Sequence, residues 1–381
     1  MKGGISINNK RITHNERLLI LLFLSILFLS GSIFGIWIDP FIKKVDTQGV
    51  QSIEVQMYRY ENDEWQVVDI VKADYTENGN VLSEIRTDGD GSLQFSYRYE
   101  YDNQGNMVQI SGKRLSKGEL IPYIYHYQYD ERGNQIEGIR YATDSSVLSR
   151  YKAEYDENDH FVKGMNFVEK RADTRYLAEY NENGELIKES KSQCYEYKGE
   201  TKYQLEYKKV YEYDESGNVI QELSYDDYEA LEYKHQYQYD DSNNLIKAVK
   251  YEGDSQTPSQ VYKAEFDAQN NLKEFYIYDP EGRIKSHNKA VYNGTDMIME
   301  YRVSGDSTKT IYRASYDNQG NVVEEINYAD EIGGDTITSK YVYSYDDRGN
   351  VITEKYYVYS EPENKWIPLS KQENDIQYFN D

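Results

Sequence analysis

Tyr123-Ile124-Tyr125-His126-Tyr127-Gln128-Tyr129-Asp130-Glu131-Arg132-Gly133-Asn134 is the stretch that decides the fold of this chain. Its four tyrosines alternate with other residues, and a period of two puts them on one face of a β-strand. Asp130 then opens a turn. An Asp side chain at the first turn position accepts backbone N–H groups, and a Gly three residues on takes positive φ cheaply. A type I turn ending in a left-handed residue is a common hairpin connection. The residues after such a turn read as a second strand, as in Val219-Ile220-Gln221-Glu222-Leu223-Ser224-Tyr225. The unit is therefore a β-hairpin.

The signature recurs in register. It appears at Tyr101-Asp102 with Gly105, Tyr129-Asp130 with Gly133, Tyr213-Asp214 with Gly217, and Tyr239-Asp240 with Asn243. It appears again at Phe266-Asp267 with Asn270, Tyr278-Asp279 with Gly282, Tyr316-Asp317 with Gly320 and Tyr345-Asp346 with Gly349. Weaker copies stand at Tyr75, Tyr155 and Tyr180, and a decayed one at Tyr292. The spacing predicts about eleven units and about 22 strands, a strip of roughly 100 Å at about 4.8 Å per strand. A strip of that length twists and exposes both faces. The expected fold class is thus all-β: tandem antiparallel hairpins in a long coiled or spiral sheet, with tyrosine rows facing each other and each unit leaning on its neighbours. The array spans 50–381. Capping hairpins are expected near 50–70, where Trp65 follows Tyr58 and Tyr60, and near 355–381, where Trp366 follows Tyr357 and Tyr359.

Composition agrees with a sheet built on tyrosine. The 381 residues are 38% hydrophobic, low for a globular chain, yet include 42 tyrosines. Tyrosine buries its ring while its hydroxyl stays hydrated or bonded. The net charge is −24. Residues 1–44 carry six Lys/Arg and two acids, which leaves −28 on the remainder. So acidic a body repels nucleic acid and suits cations, basic partners or neutral glycans. The single cysteine, Cys194, permits no intrachain disulfide.

Leu18–Ile38 is an uncharged run of 21 residues, long enough to cross a bilayer as a helix. The basic residues of 1–17 place that end in the cytoplasm. The expected organisation is a cytoplasmic segment (1–17), a transmembrane signal anchor (18–38), a linker (39–49) and an extracellular array. The alternative is a signal peptide cleaved near Ser30-Gly31-Ser32, which makes the protein secreted.

No catalytic pattern appears. His14, His126, His160, His235 and His287 are scattered, and there is no His-Glu-x-x-His, Gly-x-Ser-x-Gly or phosphate loop. The Asp-x-x-Gly-Asn turns match neither an EF-hand loop nor a Gly-Gly-x-Gly-x-Asp calcium repeat, so turn formation accounts for them. No cofactor or metal is expected, and no enzyme. The aromatic residues that present themselves as ligand contacts are Tyr125, Tyr127, Tyr237, Tyr239, Trp65 and Trp366.

The motif Tyr-x-Tyr-Asp-x-x-Gly-Asn/Arg resembles the YD repeat of the Rhs and teneurin families, over about residues 50–360. Tyr276-Ile277-Tyr278-Asp279-Pro280-Glu281-Gly282-Arg283-Ile284 matches it most closely. Most copies here end in Gly-Asn where those families favour Gly-Arg. The resemblance implies a spiralling β-sheet shell. The function expected from the whole is a non-enzymatic cell-surface module that binds glycan or protein through its aromatic rows. The alternatives are a structural spacer or shell component of the envelope, or, by the resemblance alone, an accessory of an Rhs-type toxin system.

Overall fold

The computed structural model describes residues 47–379 apart from 170, 269, 294–295, 303–307 and 329–337, and gives backbone alone for the rest of 291–311. The segments 1–17 and 18–38 and most of the linker 39–49 lie outside the described residues. Among the described residues there is no helix, so none long and apolar enough to cross a membrane.

Twenty-four strands make one antiparallel sheet in which each pairs with its neighbours in sequence. Eleven connections on one rim are Tyr-Asp turns or their weaker copies, from the one joining Glu64–Tyr75 to Val81–Asp88 to the one joining Ser339–Tyr345 to Val351–Ser360. Those account for 22 strands, as the repeat spacing predicts. The other two are the first, Val50–Glu61, and the last, Lys365–Tyr378, and they pair with each other from Val50↔Tyr378 to Arg59↔Ser370. Here the structure departs from a spiral, which leaves a free strand edge at each end. The terminal hairpins cap the array by pairing together, and the coiled sheet comes round until its ends meet. Pairing both edges removes a template for aggregation.

The seam carries the best-buried apolar cluster. Ile53 pairs with Ala73 on one side and the partly buried Ile376 on the other, and Val55 pairs with Val71; Ile53, Ala73, Val55, Val71, Val50 and Tyr75 are almost wholly buried. Elsewhere aliphatic burial is thin, and polar bonds tie the strands together.

Each turn is built the same way. At Asp130 the main-chain N–H donates to the Asn134 carbonyl at 2.9 Å and the Gly133 N–H to the Asp130 carbonyl at 3.1 Å. Asp130 Oδ1 accepts the N–H groups of Arg132 and Asn134, and Oδ2 accepts the Asn134 side-chain amide. Gly133 has φ 92°, a conformation that costs Gly nothing. Where Gly is replaced, by Asp159, Asn243 or Asn270, φ is still 62–66°. The new side-chain oxygen then accepts an amide N–H from the preceding turn: Asn134 to Asp159, Asn218 to Asn243, Asn244 to Asn270. Turn chemistry thus doubles as a link between units.

Alternate antiparallel strands place turns on two rims. The Tyr-Asp turns share one rim with two exceptions, Asp226–Ala230 and Asp279–Arg283. Asp279–Arg283, the closest match to the family motif, joins Leu272–Tyr278 to Ile284–Asn293 on the opposite rim. It makes the same turn bonds, Asp279 N–H to Arg283 carbonyl at 2.9 Å and Gly282 N–H to Asp279 carbonyl at 3.0 Å. Turn chemistry is local, whereas rim is set by the number of strands that come before, so the motif alone does not place it.

Candidate functional site

The tyrosine face turns inward. In Leu93–Tyr101 the residues Phe95, Tyr97, Tyr99 and Tyr101 share it, while Arg98 and Glu100 are exposed on the other face. Outward rows are charged, with exposed pairs such as Lys163–Glu154 and Lys188–Glu179, each at 2.6 Å. Such a row does not fit the apolar band of a lipid-facing barrel.

Most inward phenols are bonded into the sheet. In six units the tyrosine before the turn Asp donates to the carbonyl that begins the second strand of the preceding unit: Tyr101 to Val81, Tyr129 to Met107, Tyr155 to Gln135, Tyr213 to Leu186, Tyr239 to Val219, Tyr345 to Val322. The tyrosine two residues earlier meets a buried or half-buried carboxylate where the facing strand supplies one. Tyr99 donates to Glu84, Tyr211 to Glu189, Tyr237 to Glu222 and Tyr343 to Glu325. Burial first, and then the Glu84 charge, raise the Tyr99 phenol well above its usual value. Burial works against the Glu222 carboxylate, but hydrogen bonding by His235 and the charge of Lys209 outweigh it and pull its pKa down to about 2. Lys209 Nζ stands 3.0 Å from Glu222.

One part of the inner wall is different. Rings follow one another from Phe95 to Tyr97 (4.8 Å), Tyr123 (4.9 Å), Tyr125 (4.8 Å) and Tyr127 (6.1 Å). The Arg114 guanidinium lies 5.5 Å from the Tyr123 centroid, and Arg140 lies 5.8 and 5.9 Å from Tyr123 and Tyr125. A half-open cavity of about 1110 Å³ runs beside these rings. Its wall also holds Asp88, Asp173 and the ion pair of Arg86 with Asp69. Across the wall small residues give the rings room. Gly138 faces Tyr127, and a Cβ on Gly164 would stand 2.9 Å from the Tyr151 hydroxyl and the Phe161 ring. The volume and the mix of aromatic and convergent polar groups suit a ligand site.

The residues singled out in the sequence do not come together. Tyr125 and Tyr127 line the cavity. Tyr237 and Tyr239 face inward together on a distant strand, Leu231–Tyr239, with their hydroxyls committed to Glu222 and to the Val219 carbonyl. Trp65 packs edge-on to Tyr60 and Trp366 to Tyr359, on the rim away from the Tyr-Asp turns, with Lys371 and Lys340 over them. Asp102, Gly105, Asp214, Gly217, Asp240, Asp267, Asp317, Gly320, Asp346 and Gly349 all sit in turns with the bonding of Asp130. Arg114, Phe95 and Tyr97 line the cavity and Arg140 lies over the Tyr123 and Tyr125 rings beside it, none of them foreseen. Folding the hairpin at Asp130 in register brings Arg140 opposite Tyr125, a signal present in the spacing. Among the described residues no group of His, Cys, Asp and Glu is arranged to hold a metal ion.

No protein-family model matches the chain, and no curated protein does either. Solved structures with some likeness include the TcdB2-TccC3-Cdc42 complex, 11% identical over 83% of this chain and 23% of that one, with a TM-score of 0.23. The TcdB2-TccC3 structure is 12% identical over 80% and 20%, at 0.24. A porin-like protein from Bacteroides uniformis is 11% identical over 87% and 99%, at 0.23. The chain spans about a quarter or less of the toxin chains it resembles. At these identities and scores the likenesses assign neither a family nor an activity.

Proposed function

We propose that the protein is a non-enzymatic binding module of the cell surface that holds a carbohydrate chain against the Phe95–Tyr127 ring row. The observation that carries this reading is the cavity itself, where stacked aromatic rings lie beside Arg114, Arg140 and the Asp69–Arg86 pair. Ring faces pack on the C–H faces of sugars, and the guanidinium and carboxylate groups meet their hydroxyls. Tyrosine supplies such contact area at low entropic cost. The apolar run Leu18–Ile38 supports attachment to a membrane with the sheet outside. Calorimetric titration of the full chain with neutral and acidic oligosaccharides tests the proposal. Saturable binding that drops at least tenfold in Tyr125→Ala and in Arg140→Ala supports it. Absence of binding across the panel, or binding that ignores both substitutions, refutes it.

A structural spacer is the second reading. The observation in its favour is that most inward phenols are consumed in joining one unit to the next. It predicts that biological function survives Tyr125→Ala.

A further inference from the structure

The hairpin Leu186–Tyr197/Glu200–Tyr213 reaches beyond both of its neighbours. Its first strand pairs with Arg171–Tyr180 only as far as Gln193, opposite Thr174. Its second strand pairs with Val219–Tyr225 only from Lys208 onward. Between those points, from Cys194 to Tyr207, the two strands bond to each other, with Cys194↔Tyr203 and Tyr197↔Glu200 near the tip. Each therefore presents an outer edge whose N–H and C=O groups have no strand beside them among the described residues. Other hairpins overrun a neighbour too, as Glu119–Tyr123 does beyond the Ile124↔Tyr141 pair, but the open edge at Glu200–Tyr207 is the longest among the described residues.

Exposure singles out the same place. Tyr195, Tyr197 and Tyr203 are 49%, 55% and 41% exposed. Scattered apolar exposure is ordinary, but here it is one-sided. Of the twelve large apolar side chains that are exposed among the described residues, all but Leu82 and Ile85 belong to the rim that bears the finger. Tyr228, 84% exposed, stands on the adjoining turn. The strand that begins at Val50 and the one that ends at Tyr378 have those ends on the opposite rim. Nothing of the described chain before or after the array obstructs the finger.

We infer that the Cys194–Tyr207 finger docks an extended, basic segment of another protein by strand addition. Open strand edges are satisfied by a polypeptide backbone and not by a lipid or a sugar, and strand addition is an established mode of peptide recognition. Tyr195 and Tyr197, two residues apart, present one face for alternate side chains of the incoming strand. Charge chooses the partner. Glu196, Glu200 and Glu206 outnumber Lys198 and Lys202 on the finger, Asp226 and Asp227 lie on the adjoining turn, and residues 45–381 carry −28. A second copy meets that charge with its own and is repelled, whereas a basic segment is attracted. The inference is independent of the cavity reading.

The test uses the full chain and two synthetic peptides of alternating Lys and Val, one unmodified and one N-methylated at alternate residues so that one edge has no N–H donors. Binding is followed by fluorescence anisotropy, and amide exchange locates it. The expected result is saturable binding of the unmodified peptide with exchange protection within 194–207. Affinity falls at least tenfold on N-methylation and in the double substitution Tyr195→Ser/Tyr197→Ser. Tyr228→Ser, off the finger, serves as a fold-neutral comparison and changes affinity less than threefold. Equal binding of both peptides reveals charge attraction alone and overturns the proposal. So does protection outside the finger, no binding at all, or self-association of the chain by sedimentation that the double substitution abolishes.

Discussion

The phenol of Tyr129 donates to the main-chain carbonyl of Met107 across 2.7 Å, and so ties one repeat to the one before it. The acceptor is backbone, which leaves the side chain at that position free to be Val81, Met107, Gln135 or Leu186 while the donor stays tyrosine. Losing one such bond costs about 0.5–1.5 kcal/mol. Tyr129→Phe is expected to lower the unfolding free energy by about that much. Tyr239→Phe, many strands away, should add to it independently. Denaturant unfolding of the single and double variants measures both. A double variant as stable as the parent would remove the staple from the account of this fold.

The turn carboxylates are structural acceptors. Asp130 uses both oxygens on Arg132 and Asn134. Asp130→Ala leaves those N–H groups to water and is expected to cost about 1–2 kcal/mol, while Asp130→Asn keeps one acceptor oxygen and costs less. Because the oxygens are occupied, a calcium chelator should leave the melting temperature unchanged. A drop of several degrees on chelation would show that the turns hold an ion.

Much of this was legible from residues alone. Alternating tyrosines before Asp-x-x-Gly gave strand, turn and unit length, since each depends on local geometry. Meeting of the ends was not legible. It rests on the pairing of Val50–Glu61 with Lys365–Tyr378, a contact across the whole chain whose only sequence trace is the likeness of the two Tyr-x-Tyr…Trp hairpins. The buried acids were missed for a related reason. Glu84 and Glu222 look like ordinary polar positions until the register sets them against Tyr99 and Tyr237. The cavity went unseen because Arg114 and Arg140 come to the same rings from different hairpins.

Acid should loosen the sheet at Glu222. Its carboxylate sits at about 2 in the folded chain, below its ordinary value near 4.3 when unfolded. A depressed folded value contributes stability above the unfolded one, and that contribution fades as pH falls from about 4.5 toward 2. The turn acids Asp102 and Asp214, lowered first of all by the backbone N–H groups of Asn106 and Asn218, act in the same direction. Thermal unfolding between pH 7 and pH 2.5 should show a falling midpoint below about pH 4.5. In Glu222→Gln, which leaves Lys209 without its counter-charge, the parent should lose its advantage over the variant as the pH drops. A constant gap between the two across that range contradicts the assignment.

Base should reveal the inward phenols. Burial raises Tyr101 and Tyr123 to about 12. Tyr99, Tyr237 and Tyr343 are pushed up further, by burial and then by the carboxylates they face. A phenol whose folded pKa lies above its unfolded value of about 10 gives its full stability below pH 10 and loses it as the pH climbs through the folded value. The phenolate absorbance should therefore rise in two stages: a reversible one near the ordinary range from phenols at the surface, and a later one that coincides with loss of the β-sheet circular dichroism. Tyr237→Phe removes one late phenol together with a hydrogen bond to a buried charge, worth about 1.5–3 kcal/mol. It should shift the second stage to lower pH even though one fewer group titrates. If all the tyrosines ionised in a single stage while the sheet stayed folded, the inward face would have to be open to solvent.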